Sequence, residues 1–491
     1  MTISSYEEIP YATFALRPAY LGRLAALAHL YGVDVAAPHN CSVLEIGCGT
    51  GGNIVALAEQ YPGSSFVGVD LAESHISACK MLATGCGVTN VEFRCGDIRD
   101  LSLEKGRFDY VICHGLYSWV APDVRRALLE KISASLSPLG VAYVSYNVLP
   151  GWRQRGAVRD IMRTGAARCG VNATPRERLA AGIEFLNVVA KVRSAENDLY
   201  GSYLREAIKR FQEADESYIF HEFLEEHNEP VLFSDFMEQA SAVNLQFLSE
   251  AKPSLMSSDD LGPEVARYVE GAEGDVVDRE QRLDMVRNRM FRETLLCHSS
   301  LALKRDLKAS VFKSLAVVTD YRHERDVSEQ ETIFRELVSG REVTTPHDEH
   351  AKVLALVGDA GYAGLFFNEV MDALTVSAPA IDERGLMHII VRLWRAGFVD
   401  LMTHLIPTTS KRQGSARVSR LALYQAQQDA PLIVSLQHRS FKISEGERDV
   451  LKLSDGSRRF ADVVATALQA RDLREVDAAV ERLLSLGFYV A

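Results

Sequence analysis

Between residues 42 and 146, apolar and β-branched runs alternate with helical patterns, and this alternation limits the fold more than any other feature of the chain. Strand-like runs at 42–47, 65–71, 90–95, 108–113 and 140–146 are separated by helical patterns at 53–60, 73–84 and 123–136. Leu128, Ile132 and Leu136 form one stripe of the last helix, and Pro138-Leu139-Gly140 ends it. Strands and helices of these lengths in alternation imply right-handed βαβ units and a doubly wound, Rossmann-like parallel sheet of the α/β class. In such a sheet ligands bind beyond the carboxyl ends of the strands, so the residues that close each strand are the ones to inspect.

The first strand closes in Glu45-Ile46-Gly47-Cys48-Gly49-Thr50-Gly51, a turn whose backbone is nearly free of side chains. Alone this is a weak motif, because glycine turns also join strands to helices for structural reasons. Glu45 sharpens it: a carboxylate there repels a pyrophosphate and attracts a cationic ligand such as S-adenosylmethionine (SAM), with its sulfonium and α-amino group. The second strand ends in Asp70 and Leu71, about 20 residues past the turn, where a carboxylate accepts hydrogen bonds from both hydroxyls of a ribose. The third ends in Gly96-Asp97-Ile98, with a carboxylate for an adenine amino group and an apolar side chain for the ring face. The fourth ends in His114-Gly115-Leu116-Tyr117-Ser118-Trp119, an aromatic cluster where a reacting group would meet the ligand. Each acidic residue alone reads as a capping or surface residue; three at successive strand ends do not. A dehydrogenase is the competing reading, but its Gly-x-Gly-x-x-Gly spacing is missing, since the third glycine comes too early.

In order and spacing these motifs resemble the class I SAM-dependent methyltransferases. The resemblance implies that Gly47, Gly49 and Gly51, with Glu45 and Cys48, border the methionine part of SAM. It also implies Asp70 with Leu71 at the ribose, Asp97 with Ile98 at the adenine, and His114 beside the cofactor. A narrower resemblance rests on the Tyr6-Glu7-Glu8-Ile9-Pro10-Tyr11 segment, His114-Gly115-x-Tyr117-Ser118-Trp119-Val120, and Ser145-Tyr146-Asn147 with Pro150-Gly151-Trp152. The run Arg292-Glu293-Thr294-Leu295-Leu296-Cys297-His298 completes it. These are similar to bacterial methyltransferases with a regulatory domain after the catalytic core, among them rickettsial lysine methyltransferases acting on outer-membrane proteins. Most of the chain is covered by this resemblance.

On this basis residues 1–150 are expected to form the SAM-binding core, 151–230 an inserted helical lid, and 231–310 the end of the core with the regulatory-type domain. A helix from about residue 21 is expected across the mouth of the core. Arg155, Arg159 and Arg163 share one helical face, read as solvated, with an anion or acidic partner as the alternative. Residues 218–227 mix aromatics with His221, Glu222 and other carboxylates, and read as an amphipathic helix with a wet acidic side. Residues 278–304 read as helical throughout. Residues 345–405 and 440–491 each close with a helix, Gly-Phe and a short strand, the ending of a winged-helix-like unit. DNA binding is disfavoured because neither closing helix is rich in Lys and Arg, despite the basic loop at 411–417.

Length and composition set the outer limits. At 491 residues two or three domains are expected. The net charge of −12 argues against a general nucleic-acid binder. No apolar run is long enough for a membrane span. Residues 1–10 lack a signal-peptide pattern, and eight cysteines occur without a Cys-x-x-Cys pair, so a reducing cytoplasm and no structural metal are expected.

Three functions remain open on the sequence. The first is methyl transfer to protein lysine, and the second is methyl transfer to nitrogen or oxygen of a small molecule enclosed by the lid. The third is a SAM-sensing regulator without catalysis. Tyr117 and Asn147 are candidates for holding the nucleophile, and His221 with Glu222 for removing its proton. Trp119, Tyr146, Trp152 and Glu222 are candidates for lining the acceptor site. A protein substrate and a homodimer are both compatible with the sequence.

Overall fold

The computed structural model describes residues 14–193, 198–271, 275–328, 330–346 and 348–491; the segment Tyr6 to Tyr11 lies outside the described residues. Seven strands form one sheet: β1 (Ser42–Ile46), β2 (Ser65–Asp70), β3 (Val91–Cys95), β4 (Phe108–Cys113), β5 (Leu136–Asn147), β6 (Leu245–Glu250) and β7 (Phe291–His298). Their order is β3-β2-β1-β4-β5-β7-β6. The first five pair in parallel, whereas β7 runs antiparallel to both β5 and β6. Helices Gly52–Gln60, Glu73–Gly85 and Pro122–Ser135 provide the crossovers, so the expected α/β architecture is the one observed. β5 begins four residues before the expected run. Its register against β4 shifts between Phe108 and Tyr110, which absorbs the Pro138-Leu139-Gly140 stretch.

One expectation is overturned. Residues 278–304 are not helical throughout: the helix Val276–Arg287 stops at Asn288, which takes a left-handed conformation (φ 48), and Phe291–His298 is strand β7. The cause is a charge that the local pattern cannot explain. Arg292 is fully buried in β7, held by Glu250 of β6 at 2.6 Å and by Asp284 and Glu280 of the preceding helix at 2.8 and 3.1 Å. Its guanidinium also lies 3.8 Å from the Phe233 ring centroid. Partners from three elements thus let a charged residue occupy a strand that would otherwise read as apolar.

Between β5 and the helix Phe233–Ala242 lie Trp152–Ala166, Pro175–Val192, Leu199–Glu213 and Glu216–Leu224. They pack on a core of their own, including Val158, Met162, Leu186, Leu204 and Phe220. The solvated reading of the arginine face holds for Arg163, which is exposed, and is corrected for Arg155 and Arg159. Arg159 is buried and donates to the carbonyls of Glu225 and Glu226, and Arg163 reaches the same two at 2.8 and 2.9 Å. Arg155 meets Tyr218 and Glu222. Arg159 and Arg163 therefore satisfy the carbonyl end of the helix Glu216–Leu224, where a helix is electronegative. That helix buries Ile219, Phe220, His221, Phe223 and Leu224, and Glu222 is largely enclosed, so little of an acidic side is wet.

The C-terminal part repeats an order of helix, strand, helix, helix and strand. It runs once through Glu349–Asp359, Leu365–Phe366, Phe367–Ser377, Glu383–Arg395 and Asp400–Met402. It runs again through Glu445–Lys452, Asp455–Arg459, Phe460–Ala467 and Leu473–Ser485, closing in Tyr489 and Val490, which bridge to Val418 and Thr408. The two Gly-Phe pairs have one physical role. Gly397 (φ 79) and Gly487 (φ 71) leave their helices in the left-handed region. The next residue's N–H then returns to the helix, Phe398 to the Leu393 carbonyl and Phe488 to the Leu483 carbonyl. The helix Leu21–Leu30 does not cross the mouth of the core. Buried at every residue but His29, it lies in one cluster with Val43, Tyr110 and Tyr143 of the sheet and Leu401 and Met402 of the first repeat. Among the described residues no helix is long and apolar enough to cross a membrane.

Candidate active site

The glycine turn sits where β1 ends. Gly47, Gly49 and Gly51 have φ of 75, 52 and 87, a region other residues rarely adopt. A Cβ on Gly51 would lie 3.0 Å from Cys79 Sγ, so the close approach also demands glycine. The N–H groups of Gly47 and Cys48 donate to the Val69 carbonyl, and that of Gly49 donates to Asp70 Oδ2 at 2.8 Å. Cys48 is buried against Gly68, so only its backbone is available to a ligand.

Glu45 lies beneath this turn, 4% exposed. Asn53 Nδ2 donates to its Oε1 at 3.1 Å, while Oε2 is buried without a hydrogen-bond partner. Burial above all, helped by the charge of Asp70, pushes its carboxyl up to about 8, against the Asn53 hydrogen bond. Such an oxygen is stabilised by an arriving cation or donor. For Asp70 burial acts upward too, but the hydrogen bonds from His75, Ala72 N–H and Gly49 N–H prevail and hold its carboxyl below the usual range. Next to it Leu71 is 67% exposed, an apolar surface at a strand end, and Ile98 is buried. Asp97 is partnered by Arg99, whose Nη2 is 2.6 Å away, and Arg99 also reaches Asp123. That pairing, more than any other influence, lowers the Asp97 carboxyl.

His114 follows β4. Glu45 pairs with Ile112 in register, which brings His114 beside Gly47, and the Leu116 side chain approaches Gly47. A directed chain of hydrogen bonds leads away from the imidazole. Lys252 Nζ contacts Glu293 Oε2 at 2.7 Å, Tyr143 Oη donates to Glu293 Oε1 at 2.9 Å, and His114 Nδ1 lies 2.9 Å from Tyr143 Oη. Because the ion-paired carboxylate can only accept, the phenol must donate to it, and the phenol oxygen is left to accept from His114 Nδ1–H. His114 Nε2 then carries a lone pair and no proton. Burial pushes this imidazole down to about 4, with Lys252 adding and Glu293 opposing, so it is neutral at ordinary pH. Phe291 stands edge-on to it at 5.9 Å.

The remaining sequence candidates fall into two groups. Tyr117 and Tyr146, expected to meet the acceptor, instead face the core. Tyr117 is fully buried and donates to Gln239 Oε1 at 2.7 Å, and Tyr146 Oη is 2.9 Å from Thr294 Oγ1. Both rings pack on Phe236, because the turn after β4 carries Tyr117 under the helix Phe233–Ala242. The other group lies where the helical insert joins the strand ends. Asn147 Nδ2 donates to Asn228 Oδ1 at 3.1 Å, and Trp119 meets Trp152 edge to face at 6.5 Å. His221 lies within the insert, 2.7 Å from Glu225, as does Glu222 with Arg155.

Sequence reasoning missed His75, Asn53, Tyr143, Glu293 and Lys252. A polar residue in the first turn after a glycine loop, as Asn53 is, could have been found. Glu293 could not, because its place depends on β7.

A methyltransferase domain family matches residues 43–140, and a predicted methyltransferase regulatory domain family matches residues 215–298. The uncharacterized protein RP028 of Rickettsia prowazekii is 34% identical over 238 residues, 48% of this chain and 93% of that protein. The chain belongs to the class I SAM-dependent methyltransferases that carry a methyltransferase regulatory domain, and SAM is its cofactor. It is also similar to the uncharacterized protein RP789 of the same organism, 33% identical over 324 residues. That match covers 66% of this chain and spans 58% of the relative. PKMT2 from Rickettsia typhi shares the fold over 98% of this chain and 100% of its own, with a TM-score of 0.86 at 24% identity. PKMT2 has also been solved in complex with AdoHcy. The regulatory match contains β6 and β7, so this stretch completes the catalytic sheet and does not follow it as a separate body.

Proposed function

We propose that this methyltransferase acts on lysine side chains of proteins. The observation that carries the reading is the bare Nε2 of His114 at the strand ends. A neutral imidazole with a lone pair on Nε2 can accept a hydrogen bond from an uncharged amine and leave the amine's own lone pair free to attack, whereas an imidazolium would donate to that lone pair and block it. The resemblance to rickettsial lysine methyltransferases and the fold shared with PKMT2 support the same acceptor class.

SAM supplies an activated methyl group for direct displacement. On this reading Gly47, Gly49 and Gly51 let the backbone approach the amino-acid end of the cofactor, and Glu45 faces its cationic groups. Asp70, with Leu71, holds the ribose; Asp97 and Ile98 border the adenine. His114 orients the acceptor nitrogen, which sheds its proton to solvent first, and Trp119, Trp152 and Asn147 line its approach. The winged-helix-like repeats serve protein contact and not DNA, in keeping with Arg412 of the basic loop being matched by Asp477 and Glu481.

Incubation with tritiated SAM and a cell lysate, followed by separation by size, tests the reading: label should enter protein. Label in small solutes alone would favour a small-molecule acceptor, and no label a SAM sensor. With a labelled protein in hand, His114→Phe should lower kcat by roughly 100-fold, the scale of lost alignment at a reacting atom. The SAM dissociation constant should hardly change. Because His114 is already neutral well above pH 4, the rise of rate with pH should persist in the variant.

A further inference from the structure

We infer that the C-terminal part of the chain is a component of the methyl-donor site, with His438 as a positioning residue that orients Asn53 and, through it, Glu45. This rests on the proposed role of Glu45 toward SAM.

His438 belongs to the tight hairpin between Ile433–Val434 and Ser440–Phe441, remote from Asn53 in sequence. It is fully buried and adopts φ 55, a conformation that favours glycine or asparagine, so the hairpin holds it there at a cost. Its Nε2 lies 2.7 Å from Asn53 Oδ1. The backbone N–H of Leu16 donates to the same oxygen at 3.0 Å. A backbone N–H can only donate, which identifies that atom as the amide oxygen. The other end of the amide is therefore the NH2 group, and it donates to Glu45 Oε1. By the same logic His438 Nε2 carries the proton, and its Nδ1 is left buried without a hydrogen-bond partner. Burial, with Arg17 adding, pushes this imidazole down to about 3, so the bond is present throughout the physiological range and is not a pH switch.

Other contacts fix the hairpin's surroundings to the helices that flank the glycine turn. Glu59 of the helix Gly52–Gln60 accepts from the N–H groups of Arg420 and Leu421 at 2.6 and 3.1 Å. Arg420 Nη1 donates to the Gly87 carbonyl at 3.0 Å, and the Tyr424 ring fills the space that a side chain at Gly85 would need. Arg17 Nη1 donates to the Gln437 carbonyl at 2.9 Å. Without His438 the Asn53 amide would keep one donor on its oxygen and could turn that oxygen toward Glu45. A carboxyl group facing a carbonyl oxygen ionises less readily when a cation arrives, which weakens binding of that cation.

The test is SAM affinity of the full chain by calorimetry, with the proton released on binding at pH 7 measured in buffers of different ionisation enthalpy. Glu45→Gln should weaken binding and abolish the release, since a carboxyl at about 8 is protonated in the free protein and ionises when a cation arrives. His438→Ala should raise Kd about tenfold and alter the proton count. His438→Gln, whose amide nitrogen can take the place of Nε2, should return Kd to within about threefold of the parent, whereas His438→Asn should resemble alanine. If His438→Ala fails to fold, the contrast between Gln and Asn carries the test. Gln437→Ala, a neighbouring change in the hairpin, should leave Kd unchanged. Parent-like affinity in His438→Ala with Glu45→Gln weakened overturns the inference alone, as does equal weakening by Gln437→Ala. Unchanged affinity in Glu45→Gln overturns the Glu45 reading and this inference together.

Discussion

Asp70→Ala is expected to raise the SAM dissociation constant by at least about 100-fold, with the fold retained. The side chain has two duties at one place. It accepts from Gly49 N–H, Ala72 N–H and His75, fixing the glycine turn against the end of β2. On the proposed reading it also takes the ribose hydroxyls. A hydrogen bond to a charged group contributes about 1.5–3 kcal/mol, and about 1.4 kcal/mol is tenfold in affinity, so two such bonds account for the predicted loss. Asp70→Asn keeps the shape and some acceptor capacity, and should lie between parent and alanine. Calorimetry of both variants, with circular dichroism as the fold control, measures the effect; unchanged affinity in Asp70→Ala would remove the assignment of this strand end to the cofactor.

The second large effect concerns stability. Arg292→Met is expected to cost about 3–5 kcal/mol, because it leaves Glu250 buried without its cation and takes from Asp284 and Glu280 one of theirs, Arg289 remaining beside both and Arg279 beside Glu280. The pH dependence follows from the carboxyl groups. Even in the parent, burial pushes Glu280 and Asp284 up, with the charge of Arg292 the chief opposing influence. Removing that charge raises them further. A group whose folded pKa lies above its unfolded value contributes stability fully present below the unfolded pKa and lost as pH rises through the folded one. The variant should therefore be least impaired near pH 5 and most impaired at neutral pH, as read from urea midpoints across that range. A deficit independent of pH would mean that lost packing on Phe233, and not uncompensated charge, dominates.

What could be read from the sequence follows from where the deciding interactions lie. The first five strands and the glycine turn were legible because their causes are local: apolar runs, helix stripes, and glycines at positive φ. The acidic strand ends were legible because the sheet's topology brings every C-terminal end to one side. β7 was not legible, since Arg292 sits in a buried strand only by virtue of Glu250, Glu280 and Asp284, which come from other elements. Tyr117 was misjudged for a similar reason: an aromatic residue after a strand can turn toward the ligand or under the next helix, and Gln239 with Phe236 decides it. Arg159 and Arg163 look unpartnered until the helix Glu216–Leu224 brings its carbonyl end to them, and Arg155 until the same helix brings Tyr218 and Glu222. His114 was chosen as a cofactor neighbour, but its tautomer depends on Tyr143 and Glu293, a relation that no sequence spacing contains.

The central claim, methyl transfer from SAM to lysine in protein, is tested most directly by locating the transferred group. The full chain is incubated with isotopically labelled SAM and lysate protein, the labelled protein is digested, and the modified residue is identified by tandem mass spectrometry. The label is expected on lysine as a methylated side-chain amine, and is expected to be lost when Asp70 is replaced by alanine. Label only on other side chains, or only on small solutes, would contradict that claim.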